Sequence, residues 1–205
     1  MGAEPLDALA DRARACTHCA GALPLDPNPI FQVHERARIL VASQAPGRLA
    51  HESGTPFLDP SGRRLRDWMG IGRDAFYDPR RVAILPMGFC YPGRGSGGDR
   101  PPRPECAPLW RQAFLDLLQN VRLTLVIGVH AQRWHLGPPV RPVAEAAAEW
   151  LRSGGPVVPM PHPSPRNNAW LARNPWFERE FVPAIRKRVA RALRPSAPRR
   201  NARQR

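Results

Sequence analysis

Four cysteines, two turn-rich loops and one histidine carry most of the chemistry available to this chain. Cys16 and Cys19 form a Cys-x-x-Cys pair, and Cys90 and Cys106 are the only other cysteines among 205 residues. Two thiolates at that spacing can chelate one centre, which makes the pair a metal clip. A redox dithiol of the thioredoxin kind would instead follow a strand and open a helix, and this pair precedes every strand-like run. Using all four cysteines and leaving none over favours a four-thiolate site. A second constellation is Ser43-Gln44-Ala45-Pro46-Gly47 followed by Gly54-Thr55-Pro56-Phe57-Leu58-Asp59. A small–polar–Pro–Gly turn offers backbone amides and one polar side chain to a ligand, although an ordinary connection would use the same residues. Phe57 is unusual as core because it sits in a loop, where a phenyl can stack on a flat ring such as a nucleobase. Asp59 is a spare carboxylate for electrostatic or general-base help, or equally a turn-capping residue before Pro60.

The third constellation is His162-Pro163-Ser164-Pro165-Arg166-Asn167. Two prolines stiffen it, which suits a wedge or clamp better than a mobile lid. His162 can hydrogen-bond a carbonyl oxygen on a leaving group, while Ser164 and nearby amides can hold phosphates. A lone histidine at a strand end also occurs as a satisfied structural residue.

These loops need a scaffold, and the sequence supplies one. Four short apolar runs, at 37–43, 82–87, 123–128 and 157–161, read as buried strands. A short helical stretch precedes them, and helices are expected near 61–70, 107–119, 141–152 and 175–193. The second carries an apolar stripe of Leu109, Ala113, Leu117 and Leu118. Alternation of this kind predicts an α/β fold, a three-layer α/β/α sandwich with a central, mainly parallel four-stranded sheet. Ligands of such sheets bind outside the carboxyl ends of the strands. That places SQAPG, GFCYPG, GVHAQ and HPSPRNN around one site.

The chain is long enough for one domain, expected over 1–193, with a basic tail at 194–205 expected to be disordered. Basic residues outnumber acidic ones 31 to 17, for a net charge of +14, and Lys187 is the only lysine. Arginine forks match phosphate oxygens, so a polyanion partner follows; codon bias, which the 26 prolines also reflect, explains arginine over lysine but not the excess itself. No run is apolar enough to span a membrane, and the N-terminus has no signal-peptide core, which predicts a cytoplasmic location.

Taken together and in this order, the two loops resemble those of the uracil-DNA glycosylase superfamily, closest to its iron–sulfur class (family 4). That class has a Gly-Glu-Ala-Pro-Gly turn, then Gly-x-Pro-Phe, then a later His-Pro-Ser loop; SQAPG through GTPF and HPSPRN correspond, and the likeness runs from about Cys16 to Arg188. The resemblance implies that Cys16, Cys19, Cys90 and Cys106 hold a [4Fe–4S] cluster, with zinc as the alternative. It also implies a monomeric enzyme that flips a base from DNA and hydrolyses its glycosidic bond. His162 and Gln44 would then be catalytic, with Asp59 assisting. Ala45, Gly47, Phe57 and Pro86 would bind the base, and Pro163, Ser164, Arg166 and Asn167 the DNA, with Arg166 or Asn167 filling the vacated stack. Three positions depart from the class. Gln44 replaces its acidic residue, Ala50-His51 its acidic pair, and Pro86 the uracil-reading asparagine four residues before the cysteine. Two other readings stay open: a DNA-binding paralogue without excision, and a nucleotide or nucleic-acid hydrolase on an unrelated α/β scaffold.

Overall fold

A computed structural model of the chain describes residues 4–195. Four short strands form one all-parallel sheet in the order β2-β1-β5-β6. They are β1 (Ile39–Ala42), β2 (Val82–Ile84), β5 (Leu123–Ile127) and β6 (Val157–Met160). The register pairs Ile39 with Val82 and with Leu123, and Thr124 with Val157. Nearly every strand residue is buried, as a sheet covered on both faces requires.

Alternation along β1 sorts the two faces. Ile39 and Val41 point into a core shared with Leu65 of α3 (Pro60–Met69), Trp150 of α7 (Val143–Ser153) and Ile185 of α9 (Val182–Leu193). Leu40 points the other way, toward Leu9 of α1 (Leu6–Arg14) and Phe114 of α5 (Gln112–Leu117). The predicted three-layer sandwich is what forms. The free edge of β2 is covered by residue Gln32, whose backbone exchanges hydrogen bonds with Ile84 in both directions at 2.9 and 2.7 Å.

Several elements differ from expectation. The helix expected at 107–119 divides into a π-helical turn, Ala107–Arg111, and α5. A π turn accommodates more residues than an α turn, so the buried face slips in phase. Trp110, Arg111, Phe114 and Leu118 are buried, while Leu109 of the expected stripe is 48% exposed. The helix expected at 175–193 likewise begins as a π turn, Phe177–Phe181. Further short elements are α2 (Arg48–Ser53), α4 (Arg73–Tyr77), α6 (Gly128–Leu136), α8 (Asn168–Arg173) and a two-residue-per-strand hairpin, β3 (Arg94–Gly95) with β4 (Gly98–Asp99). Arg194 and Pro195 follow α9, and the rest of the predicted tail lies outside the described residues. Among the described residues no helix is long and apolar enough to cross a membrane.

Candidate active site

The loops after β1, β2 and β6 meet above the carboxyl edge of the sheet and enclose a cleft of about 700 Å³. Gln44, Ala45, Gly47, Phe57, Asp59 and His162 all line it, so Phe57 and His162 share one pocket. Two of the expected motifs do not line it: GVHAQ turns directly into α6, and GFCYPG lies by the cysteine cavity instead, its loop reaching the cleft only further on, at Arg94 and Gly97–Asp99.

Backbone bonds fix the two lips of the cleft. Parallel pairing of β1 with β2 runs past the strand ends, with Leu85 N–H donating to Val41 O, Met87 N–H to Ser43 O and Gly88 N–H to Gln44 O at 2.8–2.9 Å. Pro86 therefore falls at the one position between Leu85 and Met87 where no amide proton is needed. Its ring lines the cleft, but its carbonyl faces inward and accepts from Arg111 Nη1 at 3.0 Å. Pro86 thus offers a ligand only an apolar wall. Gln44 Nε2 donates to Arg100 O at 3.3 Å, which leaves Oε1 as the free acceptor of that side chain.

Phe57 has a φ of +57°, the only positive value at a non-glycine among the described residues. Such a conformation costs of order 1–3 kcal/mol and persists only where its surroundings enforce it. Here Tyr77 Oη donates to Pro56 O at 3.0 Å and Phe57 O at 3.1 Å, and the phenyl meets Phe76 edge-on at 6.1 Å. Burial raises the Tyr77 phenol, keeping it the protonated donor this brace requires. Gly62 completes it, because a Cβ there would sit 1.8 Å from Phe57 O. Asp59 caps α3 by accepting from Gly62 N–H at 2.8 Å, so one of its oxygens is committed to the fold.

His162 stands opposite. Its carbonyl accepts from Asn167 Nδ2 at 2.6 Å, while its ring makes no hydrogen bond among the described residues. Burial holds the imidazole below the usual histidine range; Asp59 and Asp99 oppose that shift and Arg166 adds to it. The ring is therefore neutral at pH 7 and can donate one N–H. Ser164 accepts from Arg166 N–H at 3.3 Å, and Arg64 of α3 donates to Ser164 O at 3.1 Å and to Asn168 Oδ1 at 2.8 Å. Ser164, Pro165, Arg166 and Asn167 line the cleft. Pro163, expected to touch DNA, is buried beneath the loop instead, because the chain alternates direction there and Pro165 takes the outer position.

A matching family model decides the relationship: that of the uracil DNA glycosylase superfamily covers residues 31–186. The chain belongs to this superfamily. Gln44, Phe57, Pro86 and His162 all lie within the matched stretch, as do Cys90 and Cys106, whereas Cys16 and Cys19 precede it.

The cysteines form a separate region of this superfamily member. All four line one cavity on the opposite side of the 85–90 segment, with His18, Phe89 and Trp110. Burial pushes the Cys90 thiol up to about 11 and the Cys106 thiol up to about 12, and neighbouring cysteines add to both. Phe89 N–H donates to Cys106 Sγ at 3.3 Å. Among the described residues no three His, Cys, Asp or Glu side chains converge closely enough to grip one metal ion. All four thiols line that one cavity, a donor set that either a four-thiolate zinc or an iron–sulfur cluster takes.

Two features of the site have no sequence precedent. Asp99, on the hairpin, lines the cleft and acts electrostatically on His162. Arg111 is fully buried, donating from Nη1 to Leu85 O at 2.7 Å as well as to Pro86 O, with Nη2 lying 2.6 Å from His135 Nε2. A Gly-rich loop bearing one aspartate was a legible hairpin signal for Asp99. Nothing in the sequence distinguishes Arg111 from the other arginines.

Proposed function

We propose that this protein is a DNA glycosylase that hydrolyses the N-glycosidic bond of uracil or another deaminated base flipped out of DNA. The observation that carries this reading is the convergence of Gln44, the braced Phe57 and the unpartnered His162 ring on one cleft at the sheet's carboxyl edge. Bond breakage builds positive charge on the sugar and negative charge on the departing base. Neutral His162 donates a hydrogen bond to the base oxygen as that charge grows, without the energetic penalty of burying an imidazolium. Phe57 stacks on the extruded ring, and Gln44 Oε1 orients a water or the base edge. Arg48, Arg94 and Arg166 around the rim supply cations for the flanking phosphates. Since Pro86 contributes no polar group, base selection rests on the remaining lining, and uracil is one candidate among the deaminated bases.

Cys16, Cys19, Cys90 and Cys106 would hold a [4Fe–4S] cluster. Its contribution is structural, joining the N-terminal segment to both ends of the 90–106 loop. Monomeric action on DNA in the cytoplasm belongs to the same proposal.

Purified protein is to be incubated with duplexes carrying uracil, hypoxanthine or xanthine and then treated with alkali. Strand cleavage at the modified base, lost in His162→Ala, is the expected result. Tight binding with no abasic product would instead favour a DNA-binding paralogue.

A further inference from the structure

The loop that connects Cys90 to Cys106 returns over the cleft as the β3–β4 hairpin, with Arg94 paired to Asp99 and Gly95 to Gly98. Two contacts hold it there, and one bond closes its base. Gln44 Nε2 donates to Arg100 O at 3.3 Å, and Arg100 N–H donates to Gly93 O at 2.8 Å. At Gly98, φ is +140°, a conformation that favours glycine, and the Arg166 guanidinium of the His162 loop packs against it, 2.0 Å from where a Cβ would stand. The exposed Asp99 thereby presents its carboxylate beside the first turn, with Oδ2 3.6 Å from where a Cβ of Gly47 would stand.

We propose that Asp99 is the carboxylate of the hydrolytic step, delivered by the hairpin to the cleft in which residue 44 is a glutamine. This rests on the glycosylase reading above. The cleft holds two acidic side chains, and they are not equivalent. Asp59 spends one oxygen on the N-terminus of α3, whereas Asp99 makes no hydrogen bond or ion pair among the described residues. A glutamine can orient water but cannot accept its proton. Both carboxylates bear on the half-buried His162, so Asp99 lies within electrostatic reach of the group that receives the departing base.

The chemistry closes. The bond between C1′ and the glycosidic nitrogen breaks, and its electron pair leaves with the base, whose oxygen is held by the His162 N–H. Asp99 stabilises the cationic sugar across the cleft. Water forms the new O–C1′ bond and gives a proton to the Asp99 carboxylate, which passes it to solvent or to the released base. The products are an abasic sugar and the free base.

Single-turnover excision and binding to abasic-site duplex are to be measured for wild type, Asp99→Asn, Ser96→Ala and the double variant Asp99→Asn/Gln44→Glu. Ser96 lies at the exposed hairpin tip outside the cleft lining, and its variant is expected to cleave as wild type does. Asp99→Asn is expected to lose about 10²- to 10⁴-fold in rate, the usual span for one acid–base group, while keeping its affinity for DNA. Gln44→Glu in that background is expected to restore part of the rate by returning a carboxylate to the cleft. Wild-type rate in Asp99→Asn, or an equal loss in Ser96→Ala, overturns the assignment and leaves the glycosylase reading standing. A wild-type protein that releases no base from any duplex overturns both.

Discussion

The cleft and the cysteine cavity share a wall, the segment from Leu85 to Cys90, yet they are built on opposite terms. The cleft is closed by hydrogen bonds that the chain makes with itself: Val41, Ser43 and Gln44 carbonyls each receive an amide from the next strand's extension. Its one free polar ring, His162, is poised for an incoming ligand. The cysteine cavity is lined by four thiols whose burial opposes ionisation at Cys90 and Cys106. On the proposal that a cluster takes the thiolates, such a region would gain its cohesion from that binding, because metal binding would there be folding free energy. One region is therefore organised before its ligand arrives, and the other would, on that proposal, be organised by its ligand. The hairpin that bears Asp99 depends on both, being anchored to the cleft at Gln44 and bracketed by Cys90 and Cys106.

If that contrast holds, damage to the cysteine region has the largest effect on stability. Cys106→Ser is expected to abolish the absorbance shoulder at ~400 nm that marks a [4Fe–4S] protein. A ligand held about a thousandfold above its dissociation constant contributes ~4 kcal/mol, so the melting temperature should fall by ~8–16 °C for a chain of this size. Bound zinc with an unchanged melting temperature would break the comparison. His162→Ala should do the reverse. It is expected to leave melting nearly unchanged and to lower excision by ~10²- to 10³-fold, the usual loss when one donor to a developing anion is removed. Phe57→Ala is intermediate: loss of one base-stacking partner costs ~1–3 kcal/mol of affinity for the extruded base, read in titrations with a single-stranded or mismatched lesion.

The contrast also explains what was legible in the sequence. The four strands are continuous apolar runs because both sheet faces are buried, and Ile39–Ala42 could scarcely read otherwise. Gln44, Phe57 and His162 were found because strand ends in such sheets are where sites form. Asp99 escapes a reading by periodicity because a hairpin of two residues per strand has none, and only the Gly-rich turn around it signals the hairpin. The phase of the 107–118 segment escapes an α-helical reading because its first turn is π-helical, with Leu109 exposed and Arg111 buried inside that turn. A buried arginine contradicts composition-based expectation, and only its acceptors, Leu85 O and Pro86 O, account for its place.

Arg111 offers the smallest and most specific test of how the shared wall is held. A guanidinium has no acceptor, so His135 Nε2 at 2.6 Å must be the unprotonated nitrogen and the imidazole neutral. Burial, then the charge of Arg111, depresses His135 to about 3, against an ordinary value of about 6.5 in the unfolded chain. Between those values the unfolded state binds the extra proton, so stability contributed by the neutral pair is present in full above about pH 6.5 and declines as the pH falls toward 3. The slope for one proton is at most about 1.4 kcal/mol per pH unit. His135→Gln keeps an acceptor for Arg111 Nη2 but cannot titrate. Its melting temperature is expected to fall less steeply than that of the wild type between pH 6.5 and 5, where carboxylates contribute least. Parallel curves for the two proteins would mean that His135 is not held neutral, and that the wall behind Pro86 is fixed by Arg111 and the two carbonyls alone.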